Sequence, residues 1–415
     1  MRSRAGAAWT AWFLAAFFYF YQYALRTAPG VMMPQLSEAF GLTAIAVASL
    51  SGVFYYGYSP FSLVAGSALD RIGARVVIPA GALMTGLGAL LFGVGSLEAA
   101  NLGRFLQGAG GVFSLVGAVY IASKFFRDSL AATLIGATQM FGMAGAAAGQ
   151  FLVGPLIARG VPWRSFWICS GIAGLLLALV LLLVTPREKF GNQVDDWTTS
   201  AAKSLRVVFR NPQSILCGLI AGLLFLPTTI LDMTWGVRFL QQGHGFDYGE
   251  AVIRSATVPV GWIIGSPLVG LLSDRLGRRK PVIVSASFVL FACVAWVLYG
   301  ERDAIPPYVV GLVAGIASGA AMLPYTIIKE TNPRELAGTA TGVISFVVFT
   351  LSAAVGPVFG WILHHSSGGE QMALEHYQTT FQPLLWGIGL AVALTFALKE
   401  TGPAVRIPVG VGASV

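Results

Sequence analysis

Runs of about twenty apolar residues recur along this 415-residue chain and leave it few folds to adopt. A helix of that length crosses the ~30 Å hydrocarbon core of a bilayer. The runs fall near 9–29, 43–65, 77–97, 100–122, 131–154 and 163–184, then near 213–236, 250–270, 281–300, 307–328, 337–363 and 381–398. They predict an all-α polytopic membrane protein, with twelve transmembrane helices in two pseudo-symmetric six-helix bundles. Only 11% of residues are charged and 56% are hydrophobic, too little charge for the surface of a soluble protein of this size. The 51 glycines suit close helix packing in lipid.

The polar segments divide the chain further. Residues 1–185 are expected to form one bundle, 186–212 a cytoplasmic linker, 213–400 the second bundle and 401–415 a cytoplasmic tail. Trp197, Leu205, Val207, Val208 and Phe209 would let part of the linker lie as a helix on the membrane face. Most of the 26 basic residues fall at the termini and in alternate loops, which by the positive-inside rule places both termini in the cytoplasm. The net charge of +8 therefore orients the protein and calls for no nucleic acid. The apolar run after Arg2 and Arg4 is too long and too aromatic for a cleaved signal. Cys169, Cys217 and Cys293 are scattered among apolar runs, without disulfide or metal spacing. No cofactor, metal set or catalytic motif is expected, and His244, His364, His365 and His376 fall in loops.

One charged turn occurs twice. GSALDRIGARVV, Gly66 to Val77, has a near copy in GLLSDRLGRRKPV, Gly270 to Val282. Asp70 and Arg71 precede Gly73 and Arg75; Asp274 and Arg275 precede Gly277 and Arg278. A turn this tight favours positive φ at Gly73 and Gly277. The two acids stand 204 positions apart (274 minus 70), which points to a chain built twice.

Paired six-helix halves with this turn between their second and third spans resemble the major facilitator superfamily. Arg104, opening RFLQGAGG in span four, and Trp163, Arg164 and Phe166, opening span six, match that family as well. The N-terminal half is most similar to its organic-anion/cation symporters, through Arg26, Pro34, Gly41-Leu42 and FYYGY at 54–58. It departs from them at Leu25 and near Gly111, where many members carry acids. The resemblance implies two bundles rocking about a central site near the midplane. It also implies a switching role for the turns: Asp70 against the start of span eleven near Gly338, and Asp274 against the start of span five near Ala131. A carboxylate is favoured there by the helix dipole.

Within the spans, Tyr19, Gln22, Tyr23 and Arg26 recur at i, i+3, i+4 and i+7 and share one helical face. A guanidinium inside an apolar helix needs a partner or a wet cavity, and its planar fork suits a carboxylate or phosphate. The competing reading places Arg26 near the outer membrane face, reaching to water. Span two repeats the pattern with Ser51, Tyr55, Tyr58 and Ser62, and span ten offers Tyr325 beside Pro324. Asp232 in span seven is the acid placed to carry a coupling proton or cation, or else to pair with Arg254 or Arg238. Arg104 and Arg254 are further coupling candidates.

These features predict a secondary transporter that imports a small organic anion, a carboxylate, as a monomer, in symport with a cation such as H⁺ or Na⁺. If bacterial, it would reside in the inner membrane. An amino-acid carrier would use Arg26 and Asp232 on one zwitterion. Export of a drug or siderophore-like molecule is the other transport reading, and a non-transporting receptor or scaffold stands outside transport.

Overall fold

The computed structural model describes residues 2–126, 128–186, 197–301, 308–333, 336–367 and 372–402. Most of the expected linker and nearly all of the expected tail lie outside these residues. So do the side chains of Asp70, Arg71 and Ala131.

Among the described residues the chain is helical along its expected spans, an arrangement compatible with the twelve expected. The helices are α1 (Arg2–Val31), α2 (Ala44–Ile72), α3 (Ala74–Val94), α4 (Leu97–Phe125), α5 (Asp128–Phe151) and α6 (Trp163–Val184). After the separate helix Trp197–Arg210 come α7 (Pro212–Leu226), α8 (Tyr248–Leu276), α9 (Lys280–Tyr299), α10 (Val309–Ser318), α11 (Ala337–Ser367) and α12 (Leu374–Ala397). Side-chain caps fix several starts: Thr43, Ser96, Asn211 and Asp247 accept from backbone N–H groups of α2, α4, α7 and α8. Gly73 and Gly277 end α2 and α8 with φ of 90° and 65°, the conformation the duplicated turn required.

Among the described residues ten helical segments, α7 and α10 taken with their continuations, are long and apolar enough to cross a membrane. The helix Met33–Phe40 and α2 meet that test only together, as a pair bent by 104°. α1 is long enough at 30 residues, but Gln22, Arg26 and three tyrosines dilute its apolar character. The helix that looks least like a membrane span is thus the one carrying the polar stripe.

α7 and α10 are the interrupted rods. Pro227 lacks a backbone N–H, and from it to Asp232 α7 continues as a π-helix. α10 passes through a 3₁₀ turn, Gly319–Met322, and resumes as Leu323–Glu330 beside Pro324. The linker helix Trp197–Arg210 buries Val208 and sets Phe209 edge-on to Phe346 of α11, at 6.0 Å between centroids.

Within each half, glycines set the helix spacing. A Cβ at Gly108 of α4 would fall on the Phe54 carbonyl of α2, and one at Gly57 of α2 would fall on the Phe105 carbonyl. Gly261 and Gly315 bring α8 and α10 together in the same reciprocal way. Two seams join the halves: α2 packs antiparallel on α11, and α5 on α8. The first seam carries polar ties, with Ser62 Oγ donating to Gly342 O (3.2 Å) and Ser59 Oγ to Phe346 O (3.1 Å). Tyr56 OH donates to Ala353 O at 3.2 Å further along.

Filling the α2–α4 contact should therefore unfold the N-terminal half. Gly108→Leu is expected to destabilise the purified protein by about 3 kcal/mol, read as a lower thermal unfolding midpoint. Gly136→Leu, where nothing lies within 4 Å of the added carbon, should leave the midpoint unchanged.

Candidate functional site

The stripe on α1 turns inward. Gln22 is fully buried, and Tyr19, Tyr23 and Arg26 are 2%, 2% and 4% exposed. Arg26 does not reach a membrane face. Its guanidinium is ringed by Tyr23, Phe54 and Tyr55 of the first half and by Phe225 and Phe349 of the second, with centroids 4.9–5.6 Å away. It stands where the two halves meet. Nε and Nη2 donate to the Tyr55 hydroxyl at 3.4 and 3.2 Å, while Nη1 has no partner. One turn away, both amide atoms of Gln22 are buried and unpartnered as well.

A guanidinium carries five N–H donors, and rings satisfy none of them as a carboxylate oxygen would. Cation–π contact offsets about 0.5–2 kcal/mol each, which steadies the charge without neutralising it. The neighbouring tyrosines supply hydroxyls: Tyr19 OH donates to Tyr23 OH at 3.4 Å and to Gln139 Oε1 at 3.3 Å. Tyr58 packs on Phe349 at 4.3 Å, and Tyr325 packs against the same buried cluster. All seven residues expected to hold a ligand therefore lie in or beside one seam.

Arg104 is deeper than its place in span four suggested, only 1% exposed. Nη1 donates to Leu25 O at 3.2 Å and to Gln107 Oε1 at 2.7 Å, and Nη2 donates to Ser51 O at 3.1 Å. It ties α4 to the backbones of α1 and α2. Its guanidinium also lies 5.2 Å from the Phe54 ring, the ring that Arg26 approaches at 5.5 Å. Two buried positive charges share one phenyl group, and neither is ion-paired among the described residues.

Asp232 closes the π-helix and is 8% exposed. It pairs with neither Arg254 nor Arg238. Arg254 is held by Glu250 at 2.7 Å and lies 4.0 Å over Phe246, while Arg238 Nε donates to Gln242. Asp232 Oδ1 instead accepts from Ser255 Oγ at 2.6 Å, and Ser255 accepts from Gln150 Nε2 of α5 at 3.2 Å. Oδ2 has no hydrogen-bond partner. The acid thus sits at the α5–α8 seam and lines a cavity that Arg26 does not line.

The duplicated turns come out differently. Gly66 abuts the backbone of Gly338, so the end of α2 does reach the start of α11. Arg75 Nη1 donates to Thr185 O at the end of α6. The Asp274 side chain is 60% exposed and its carboxylate accepts from Arg279 at 2.5 Å, while the side chains near Ala131, its expected partner, lie outside the described residues. The positive φ at Gly277 folds the chain back so that Arg279 reaches Asp274. Arg279, 6% exposed, also pairs with Glu330 at 3.3 Å, while Arg275 and Arg278 point outward. Glu400 completes the cluster by accepting from the backbone N–H groups of Arg279 and Lys280 at the start of α9.

Sequence reasoning missed Phe225, Phe349, Gln150, Ser255, Arg279 and Glu330. No local pattern tells which helix supplies the rings around Arg26.

The sequence profile of the Major Facilitator Superfamily matches residues 12–357. The chain is 22% identical to the Probable galactarate/D-glucarate transporter GudP of Bacillus subtilis (strain 168), over 82% of this chain and 82% of that protein. It is 24% identical to the Probable sulfoacetate transporter SauU of Cupriavidus necator, over 84% and 85%. Among solved structures it resembles a bacterial homologue of the human lysosomal transporter Spinster, captured inward-facing and unoccupied. That match has a TM-score of 0.69 and 18% identity, covering 94% of this chain and 96% of the other.

The basic residues of the second turn should separate sharply on substitution. Arg279→Met removes a buried guanidinium that Ser273, Asp274 and Glu330 hold and is expected to destabilise by about 2 kcal/mol. Arg278→Met should stay within about 0.5 kcal/mol of wild type. Thermal unfolding of both purified variants checks the contrast.

Proposed function

From the premise that this chain belongs to the Major Facilitator Superfamily, we propose that it carries a small organic anion, a carboxylate, across the membrane between its two bundles. It is a multi-pass transporter and not an enzyme. The observation that carries the anion reading is Arg26: buried at the seam, ringed by aromatics, with Nη1 and both polar atoms of Gln22 unpartnered. A carboxylate meeting that edge would gain charge-assisted hydrogen bonds that no protein group now makes. The second guanidinium, Arg104, adds positive potential across Phe54. Acids with two anionic groups, like those named for the two relatives, fit such a field.

In this reading Arg26 takes the carboxylate and Gln22 a second oxygen. Tyr19, Tyr23, Tyr55, Tyr58 and Tyr325 shape the pocket and offer hydroxyls to a polyol chain. Asp232 is the coupling group, taking H⁺ or Na⁺, with Arg104 and Arg254 setting the field around the two sites. The glycines, acids and arginines of the two turns, Gly66 to Arg75 and Asp274 to Arg278, act as the switch at the cytoplasmic face as the bundles rock. The bundles are residues 1–185 and 213–400, both termini are cytoplasmic, and the working unit is a monomer importing its substrate. The amino-acid reading is weaker, because it requires Arg26 and Asp232 to share one ligand and Asp232 lines a cavity without Arg26.

Binding of galactarate and sulfoacetate to the purified protein tests the anchor. Ligand-dependent thermal stabilisation should weaken roughly thirtyfold or more in apparent affinity for Arg26→Ala, the consequence of losing a buried charged contact of about 2 kcal/mol or more. Arg26→Lys, which keeps charge but not the fork, should recover only part of it. Undiminished binding by Arg26→Ala would remove Arg26 as the anchor. Uptake into, rather than extrusion from, oriented vesicles distinguishes import from export.

A further inference from the structure

The second half holds a cavity of about 140 Å³, lined by α7 with its π-helical extension, the helix Gly236–Gln242, α8, α9 and α10. A hydrophobic void of roughly 150 Å³ admits one benzene ring. The walls are largely apolar and aromatic, with Phe239, Phe246, Trp296 and Tyr308 among them. One feature breaks that character: Asp232, whose Oδ2 is buried and without a partner. The other charges of the lining do not neutralise it. Arg254 is already held by Glu250 at 2.7 Å, and Glu301 adds a second acid. The balance is negative.

We infer that this cavity binds an organic ammonium, a primary amine on a single-ring apolar body, with Asp232 as its anchor and the aromatic walls around its ring. The ammonium pairs with the Asp232 carboxylate, whose Oδ1 accepts from Ser255. Aromatic faces favour the cation further. Ser255 also accepts from Gln150 of the first half, so the occupant bears on the α5–α8 seam and holds it closed. Such a ligand slows transport without entering the Arg26 site. This goes beyond the anion reading and stands whether or not Arg26 anchors a carboxylate.

The cavity wall also carries its own reporter, Cys293, a free thiol. In a Cys169→Ser background, phenethylammonium should protect Cys293 from a small methanethiosulfonate reagent and raise the thermal midpoint. Phenethyl alcohol, its neutral counterpart, should do neither. Asp232→Asn should weaken both effects about tenfold or more, while Arg26→Ala should keep them. If Asp232→Asn fails to fold, the contrast between amine and alcohol at Cys293 still decides the matter. In vesicles the amine should lower the maximal rate of anion uptake and leave KM unchanged. Equal protection by the alcohol would overturn the inference, as would protection by Na⁺ alone to the same extent. Inhibition competitive with the anion would place the amine at Arg26 and overturn it too.

Discussion

Two guanidinium groups against one phenyl ring form the constraint around which the first half is arranged. Arg26 and Arg104 flank Phe54 with no acid paired to either. Charges of the same sign held in a poorly hydrated interior raise the folded state's free energy unless something compensates. The protein compensates them unequally. Arg104 is met by two backbone carbonyls and a glutamine, three acceptors from α1, α2 and α4. Arg26 has one phenolic oxygen and five rings. Arg104 is tied to three helices with Nε left over, whereas Arg26 has a single hydroxyl acceptor and leaves Nη1 unpartnered.

That division explains why the aromatic ring around Arg26 spans both halves. Rings stabilise a cation modestly and without the geometric stringency of a carboxylate. Phe225 and Phe349 therefore meet Arg26 across the halves without the fixed geometry of an ion pair. The seam beside them follows the same logic, since single hydroxyl–carbonyl bonds such as Ser62 to Gly342 and Ser59 to Phe346 are individually weak. Inside each half the contacts are backbone against backbone, at Gly57 and Gly108 or at Gly261 and Gly315. Rigid bundles joined by separable seams are what rocking requires.

Much of this was legible in the sequence because it is local. Helical spacing placed Tyr19, Gln22, Tyr23 and Arg26 on one face, and that face is buried. The DRxG turns announced positive φ at Gly73 and Gly277, and both glycines adopt it. What was not legible depends on contacts between distant segments. Nothing near Asp274 says that Arg279, rather than Arg275 or Arg278, will reach its carboxylate. Turn register decides that, and Glu330 and Glu400 arrive from elsewhere to fix it. The π-helix was equally hidden, for Pro227 marks only an interruption, while the widened turn ending at Asp232 is set by packing on α8.

The placement of charge has a consequence for how the two halves would communicate. Arg26 lies at the seam with its positive field in the first half, and Asp232 lies in a cavity of the second. A cation taken at Asp232 would not touch an anion held at Arg26. Any coupling between them must then pass through structure, and one covalently short route is available. Asp232 holds Ser255, Ser255 holds Gln150, and Gln150 sits on α5 beside Gly149, whose missing side chain makes room for Thr27 of α1. Thr27 is the residue after Arg26. Neutralising the carboxylate would weaken the Ser255 bond, and with it a tie between α5 and α8 against which the helix of Arg26 packs.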